Sequence, residues 1–276
     1  MKVKKVVEKR SVLDKFYTNI DVGNSLIDAY FNTKKKKDWS KYLFIEPSAG
    51  DGALLTILEN HNISNVLGFD LQPERNDIVK QDFFLFDIAK YNTKQQPVII
   101  FMNPPFGISC NLAVKFFNKA SEFSKEIWQI VPKTFKKNSI KNKLNKKFHL
   151  IFEKDMPKNS FLFEGKAYDV PCCFQVWIKK AKERIIQKNN ITSIYIEFTE
   201  KKNATHAIRR VGGKAGKLLE GLDHNSNSTY FVKLKNKKVI DAINNLNLKE
   251  IVNATAGVRS ISKAELISLI EEKMYE

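Results

Sequence analysis

The run Val98-Ile99-Ile100-Phe101-Met102-Asn103-Pro104-Pro105-Phe106-Gly107 is an apolar stretch that stops at a carboxamide, two prolines and an aromatic ring. Consecutive prolines fix the backbone and carry no N–H. Pro104 and Pro105 therefore present carbonyl acceptors only, in a shape set before a substrate arrives. The side-chain carbonyl of Asn103 adds an acceptor, and Phe106 offers a ring face on which a flat group can stack. An aromatic amine is a poor nucleophile because its lone pair is delocalised into the ring. Two acceptors on its two N–H bonds, from Asn103 and the Pro104 carbonyl, would favour the pyramidal nitrogen that attacks an electrophile. Such a reaction needs no strong base, since the amine becomes acidic once the new bond has formed. A turn that merely ends a strand is the plain alternative for the same four residues.

Upstream, Leu43-Phe44-Ile45-Glu46-Pro47-Ser48-Ala49-Gly50-Asp51-Gly52 passes from an apolar run into a glycine-rich turn and then a helical pattern. Backbone can approach a ligand there where side chains would block it. It is not the dinucleotide fingerprint, because Ser48, Ala49 and Asp51 fill the remaining turn positions. Asp70, in Phe69-Asp70-Leu71, follows Gly52 near the roughly 20-residue spacing at which a carboxylate meets ribose hydroxyls. An aspartate at a strand end can equally start a turn. Gln81-Asp82-Phe83-Phe84 sets another carboxylate beside aromatics, which suits an adenine amino group next to a ring face, or simply a surface Asp beside core phenylalanines.

The elements that must position these groups alternate in type. Apolar runs at 42–45, 65–69, 97–102, 127–131, 148–152 and 172–178 read as strands. Helical patterns fall at 53–60, 111–123 and, rich in lysine, 136–144, so that a parallel sheet with crossover helices is expected. Ahead of them Ile20, Val22, Leu26, Ile27 and Tyr30 space as one amphipathic helix, ended by the basic run 34–37. Regularity drops after residue 179. We expect one domain over 1–185 and a small basic α+β module over 195–276, with a strand at 230–234 and a final helix whose first turn Ser262 caps at Glu265.

Lysine and arginine number 47 against 30 acidic residues, a net charge of +17 that fits a polyanionic partner. Composition bias alone could also produce it. The hydrophobic fraction of 43% supports a packed core and argues against global disorder. Cys110, Cys172 and Cys173 form neither a disulfide framework nor a zinc-binding pattern, so no metal is expected. With no apolar leader and no membrane-length run in view, a soluble, intracellular protein is the expectation.

Glu46 to Gly52, then Asp70, Asp82 and Asn103-Pro104-Pro105-Phe106, in that order, resemble the S-adenosylmethionine-dependent amino-methyltransferases, over roughly residues 11–180. The resemblance implies a Rossmann-like, mostly parallel seven-stranded sheet with a reversed last strand. It also implies S-adenosyl-L-methionine as cofactor, with Glu46, Pro47, Ser48, Gly50 and Gly52 near its methionine part, Asp70 and Leu71 at the ribose, and Asp82 and Phe83 at the adenine. Phe16-Tyr17-Thr18 is similar to the family's N-terminal cofactor motif, although Asn19 stands where proline is usual. Asn103, Pro104, Pro105 and Phe106 would be the catalytic tetrapeptide, and Phe163 the second ring on the substrate base, with Phe161 and Tyr168 as rivals. The motif order resembles DNA adenine-N6 methyltransferases whose target-recognition region is C-terminal. That places Arg209, Arg210, Lys214 and Lys217 on phosphates, with lysines of 134–147 as further contacts. DNA is the favoured acceptor. RNA carrying the same chemistry, a protein glutamine amide and a catalytically silent nucleic-acid-binding subunit are the alternatives.

Overall fold

The computed structural model describes residues 16–33, 38–163, 165–186, 191–248 and 258–275. The basic run 34–37 therefore lies outside the described residues. Two compact units are present. One contains the described residues up to Phe135 together with Ile140–Ile186, and the other contains Lys136–Ser139 and the described residues beyond 187.

The first unit opens with β1 (Tyr17–Thr18), α1 (Ile20–Phe31), β2 (Leu43–Glu46), α2 (Ala53–Asn60), β3 (Val66–Asp70), β4 (Ile78–Lys80), β5 (Val98–Met102) and α3 (Asn111–Phe123). It continues with β6 (Glu126–Pro132), the single turn α4 (Asn138–Lys141), whose first two residues are counted with the other unit, β7 (Phe148–Asp155), β8 (Phe161–Phe163), β9 (Lys166–Tyr168) and β10 (Cys172–Lys179). Seven strands form one sheet in the order β4-β3-β2-β5-β6-β10-β7. The pairings from β4 to β6 are parallel, and β10 alone runs against its neighbours β6 and β7. This is the Rossmann-like class I methyltransferase sheet with its last strand reversed.

Side-chain alternation explains the layers. Leu43, Ile45, Val98, Ile100 and Met102 enter one core, shared with Ala113, Phe117 and Ala120 of α3. Phe44, Ile99 and Phe101 point the other way, to Leu26 and Ile27 of α1 and Leu54 and Ile57 of α2. With helices on both faces, β5 is buried along its whole length and so reads as an unbroken apolar run. Cys172 and Cys173 are free thiols on opposite faces of β10, which accounts for two adjacent buried cysteines without a bridge.

Residues 136–144 correct the sequence pattern. In place of one lysine-rich helix there is a 3-10 turn over Lys133–Lys136 and then α4. Ile140 and Leu144 reach the core four residues apart, as on a helix, but Asn138, Ser139 and Asn142 favour turns and no continuous helix forms. The guanidinium of Arg184 donates to the carbonyls of Lys141 and, at 2.7 Å, Leu144, which ends the turn.

β1 joins the hairpin β8-β9 in a three-stranded sheet, with Tyr17 opposite Leu162 and Thr18 opposite Phe161. Asn19 shows why proline is dispensable here. Its N–H donates to the Ser160 carbonyl at 2.9 Å. Its Oδ1 accepts from the amides of Asp21 and Val22, capping α1 with about 1 kcal/mol of helix stability. Proline could do neither.

The second unit holds β11 (Ile196–Phe198), β12 (His206–Arg209), β13 (Leu218–Leu219), β14 (Thr229–Leu234), α5 (Lys237–Asn244) and α6 (Lys263–Tyr275). Its antiparallel sheet runs β11-β14-β12-β13, and Ile208 and Val232 meet Val239, Ile243, Ile267 and Ile270 of the helices. At the start of α6 the Glu265 amide donates to Ser262 Oγ (3.2 Å) and the Ser262 amide donates to Glu265 Oε2 (2.7 Å), the reciprocal cap expected from the sequence. Among the described residues no helix is long and apolar enough to cross a membrane, and no His/Cys/Asp/Glu cluster could hold a metal ion.

Candidate active site

β2 and β5 are parallel neighbours, with Leu43 opposite Val98 and Ile45 opposite Ile100, so both end on one edge of the sheet. The chain leaves β2 towards β3 and β4 on one side and reaches β5 on the other. Open α/β sheets form a crevice at such a switch point. A cavity of about 290 Å³ lies there, walled by Pro47, Ser48 and Gly50 after β2, Asp70 and Leu71 after β3, and Asn103 and Pro105 after β5. Phe16 and Tyr17 close it from the N-terminal segment, and Asp82 and Phe83 from the loop beyond β4.

Glu46 is 1% exposed at the base of the turn. Ser48 Oγ donates to its Oε1 at 3.3 Å, while Oε2 has no hydrogen-bond partner among the described residues. Burial holds the carboxyl well above the ordinary carboxylate range, against the downward pull of the main-chain N–H of Asn103 and the Ser48 hydroxyl; the nearby Asp70 charge adds to the rise. Gly50 sits at φ +51°, and a Cβ there would stand 2.8 Å from the Tyr17 ring. Gly52, at φ +83°, would meet Arg75 at 2.9 Å. Asp70 accepts from the amides of Gly50 (2.9 Å) and Gln72 (2.7 Å), tying the turn to the end of β3. Tyr17 lies over that turn, and its hydroxyl donates to Glu74 Oε1 at 2.6 Å. Asp82 accepts from the Phe84 amide at 2.8 Å, which starts the 3-10 turn Phe83–Leu85.

The carboxamide of Asn103 has a fixed orientation. Its Nδ2 donates to the Phe16 carbonyl at 2.8 Å and to Oγ1 of the buried Thr18 at 3.3 Å. Because Phe16 presents a carbonyl there, the amide nitrogen must face β1, which leaves Oδ1 as the acceptor available to a substrate. Its main-chain carbonyl accepts from Ser48 Oγ at 3.3 Å, joining the tetrapeptide to the cofactor-type turn. Pro104 is buried, and Phe106 is half-buried against the core on the α1 and α2 side. Of the three rival aromatics, Phe161 fills that core and is fully buried, whereas Phe163 is 38% exposed. Tyr168 stacks on Phe16 with centroids 5.2 Å apart, and Phe163 lies 5.7 Å from the same ring.

A model of the EDM2 methyltransferase-like domain matches residues 60–205. The chain belongs to the EDM2 methyltransferase-like domain family. The matched span takes in Asp70, Asp82 and Asn103-Pro104-Pro105-Phe106, while Glu46 to Gly52 precede it. Among solved structures, a type I restriction-modification system methyltransferase subunit from Streptococcus thermophilus aligns at 14% identity and TM-score 0.44, over 61% of this chain and 45% of that one. TrmN from Thermus thermophilus aligns at 16% and 0.36, over 58% and 48%. A candidate RNA methyltransferase from Pyrococcus horikoshii aligns at 15% and 0.42, over 60% and 87%. No curated protein matches the sequence.

In this methyltransferase-like domain the cavity also uses residues that sequence reasoning missed. Gln72, Leu112 and Phe116 line it, and so do Gln81 and Phe84, which stand beside Asp82 in the sequence but carried no assigned role. Leu112 and Phe116 lie one turn apart on α3, a spacing that looks the same whether the side chains meet a ligand or a core. Phe83 is 2% exposed and packs on Phe116 at 5.2 Å, so the more exposed Phe84 is the ring with surface to offer. Arg209, Arg210 and Lys214 belong to the second unit. Arg209 donates to Ser228 Oγ at 3.0 Å, Arg210 lies over the Tyr230 ring, and Lys214 is exposed.

Proposed function

We propose that this chain transfers a methyl group from S-adenosylmethionine to N6 of adenine in a nucleic acid, with DNA as the preferred acceptor. The observation that carries it is the Asn103 carboxamide, whose nitrogen is committed to Phe16 and Thr18 and whose oxygen is left to accept. The cavity residues fit the cofactor. Glu46, which does not itself line the cavity, carries at the base of the turn a buried, unpartnered Oε2 suited to an ammonium group, and Gly50 and Gly52 keep the turn open. The lone pairs of Asp70 not used by Gly50 and Gln72 suit vicinal hydroxyls, and Asp82 with Phe84 suits an adenine. When bound, S-adenosylmethionine supplies a methyl carbon made electrophilic by its sulfonium.

The chain's own groups do the rest. Asn103 Oδ1 and the Pro104 carbonyl accept the two amine N–H bonds and favour the pyramidal nitrogen. Phe106 and Phe163 hold the base between ring faces, and the proton released after attack passes to water. The net charge of +17 supports a polyanionic acceptor, with Arg209, Arg210 and Lys214 of the 195–276 region on its phosphates.

Incubation with methyl-labelled cofactor and matched pools of duplex DNA, single-stranded DNA, RNA and protein, followed by nucleoside analysis, tests the proposal. N6-methyladenine in DNA is the expected product. Label on cytosine or glutamine overturns the adenine assignment, and label on RNA alone moves the acceptor.

Asp70→Ala should weaken binding of S-adenosylhomocysteine by about tenfold or more, because it removes the ribose acceptor and strands the Gly50 and Gln72 amides. Isothermal calorimetry reads this directly, and unchanged affinity would remove Asp70 from the site.

A further inference from the structure

The second unit has a cavity of its own, about 420 Å³, within the roughly 300–1,000 Å³ range of small-ligand sites. Its floor is the ring pair Phe198 and Tyr230, edge to face at 5.2 Å and 81°. Each ring carries a cation: Lys263 Nζ lies 4.7 Å from the Phe198 centroid and the Arg210 guanidinium 5.8 Å from that of Tyr230. Ring faces hold cationic heads in place while leaving their charge available to an anion. The other charged groups of the wall are offset. Lys201 pairs with Asp223 at 2.8 Å and Glu200 with Lys202 at 3.0 Å. The remaining positive charge is that of Arg210 and Lys263.

The geometry points to a site for one unpaired nucleotide, its phosphate held by Arg210 and Lys263 and its base beside the Phe198 and Tyr230 rings that carry these cations. Rings and cations together match a nucleotide, which is aromatic at one end and anionic at the other. An unpaired strand is required, because a base within a duplex has no free face to enter a pocket. This site rests on the nucleic-acid acceptor proposed above and adds a recognition element to it, separate from the methyl-transfer cavity.

Fluorescence anisotropy on the full chain tests it, with end-labelled 12-nucleotide single-stranded RNA, single-stranded DNA and duplex DNA as probes. The double variant Arg210→Ala/Lys263→Ala is expected to lose tenfold or more in affinity for the single strands, with a shallower salt dependence, and to lose clearly less for the duplex. Equal losses on all three probes would mean diffuse charge and overturn the site, as would unchanged binding by the double variant. The RNA and DNA arms show which strand supplies the nucleotide. Methyl transfer is assayed separately, so a failed adenine assignment leaves this binding result readable, and loss of the pocket leaves the transfer result readable.

Discussion

Asn103→Ala is expected to lower methyl transfer by about 10²–10³-fold, the usual consequence of deleting one preorganised hydrogen-bonding group at a reacting centre. The substitution removes Oδ1, and it also releases the Phe16 carbonyl and Thr18 Oγ1 from their shared donor. Some loosening of β1 over the cavity follows, so cofactor affinity should fall by a few-fold at most, far less than the rate. Asn103→Asp separates the two effects. It keeps an acceptor but sets a carboxylate oxygen against the Phe16 carbonyl, and it should retain more transfer than alanine while binding cofactor no better. Single-turnover transfer and calorimetric cofactor binding on the same preparations give both quantities. Full activity in Asn103→Ala would end the assignment of the tetrapeptide as the site of transfer.

What could be read from the sequence was whatever a single local pattern determines. β5 is apolar because both of its faces are covered, and it stops where Asn103 starts, so strand and tetrapeptide were both legible. The turn at Gly50 and Gly52 was legible because left-handed backbone selects glycine. The three-residue strands β4, β8 and β9 were not, since so short a segment carries no period. The orientation of the Asn103 amide was also hidden. It depends on Phe16 and Thr18, more than eighty residues earlier, and on the pairing of β1 with β8. Asn19 shows how a departure from the resembling family's motif can be structural. The residue that replaces proline caps α1 and bonds Ser160, and the segment that bears Phe16, Tyr17 and Thr18 is held in place without it. The lysine-rich stretch at 136–144 misled for the opposite reason, because its apolar spacing is helical while Asn138, Ser139 and Asn142 favour turns.

Glu46→Gln is expected to change how both stability and cofactor affinity depend on pH. The folded carboxyl titrates well above its ordinary value of 4.5, chiefly because burial penalises the anion. Between that value and the raised one, the folded chain binds more protons than the unfolded chain. Stability of the ligand-free protein should therefore fall as pH rises through this window, by at most about 1.4 kcal/mol per pH unit for one group. Glutamine has nearly the same shape and no titration, so the variant should lose this slope and be more stable than the parent at the alkaline end of the window. Cofactor affinity should move the other way. An ammonium group beside Glu46 favours the carboxylate, so binding releases a proton and tightens as pH rises in the parent, while Glu46→Gln binds more weakly and without that dependence. Denaturant melts and calorimetry in buffers of different ionisation enthalpy, across the window, measure the slope and the released proton. A parent protein whose stability rises with pH there, or whose variant keeps the parent's slope, would show that Glu46 is ionised in the folded state and that its buried oxygen does not await a cation.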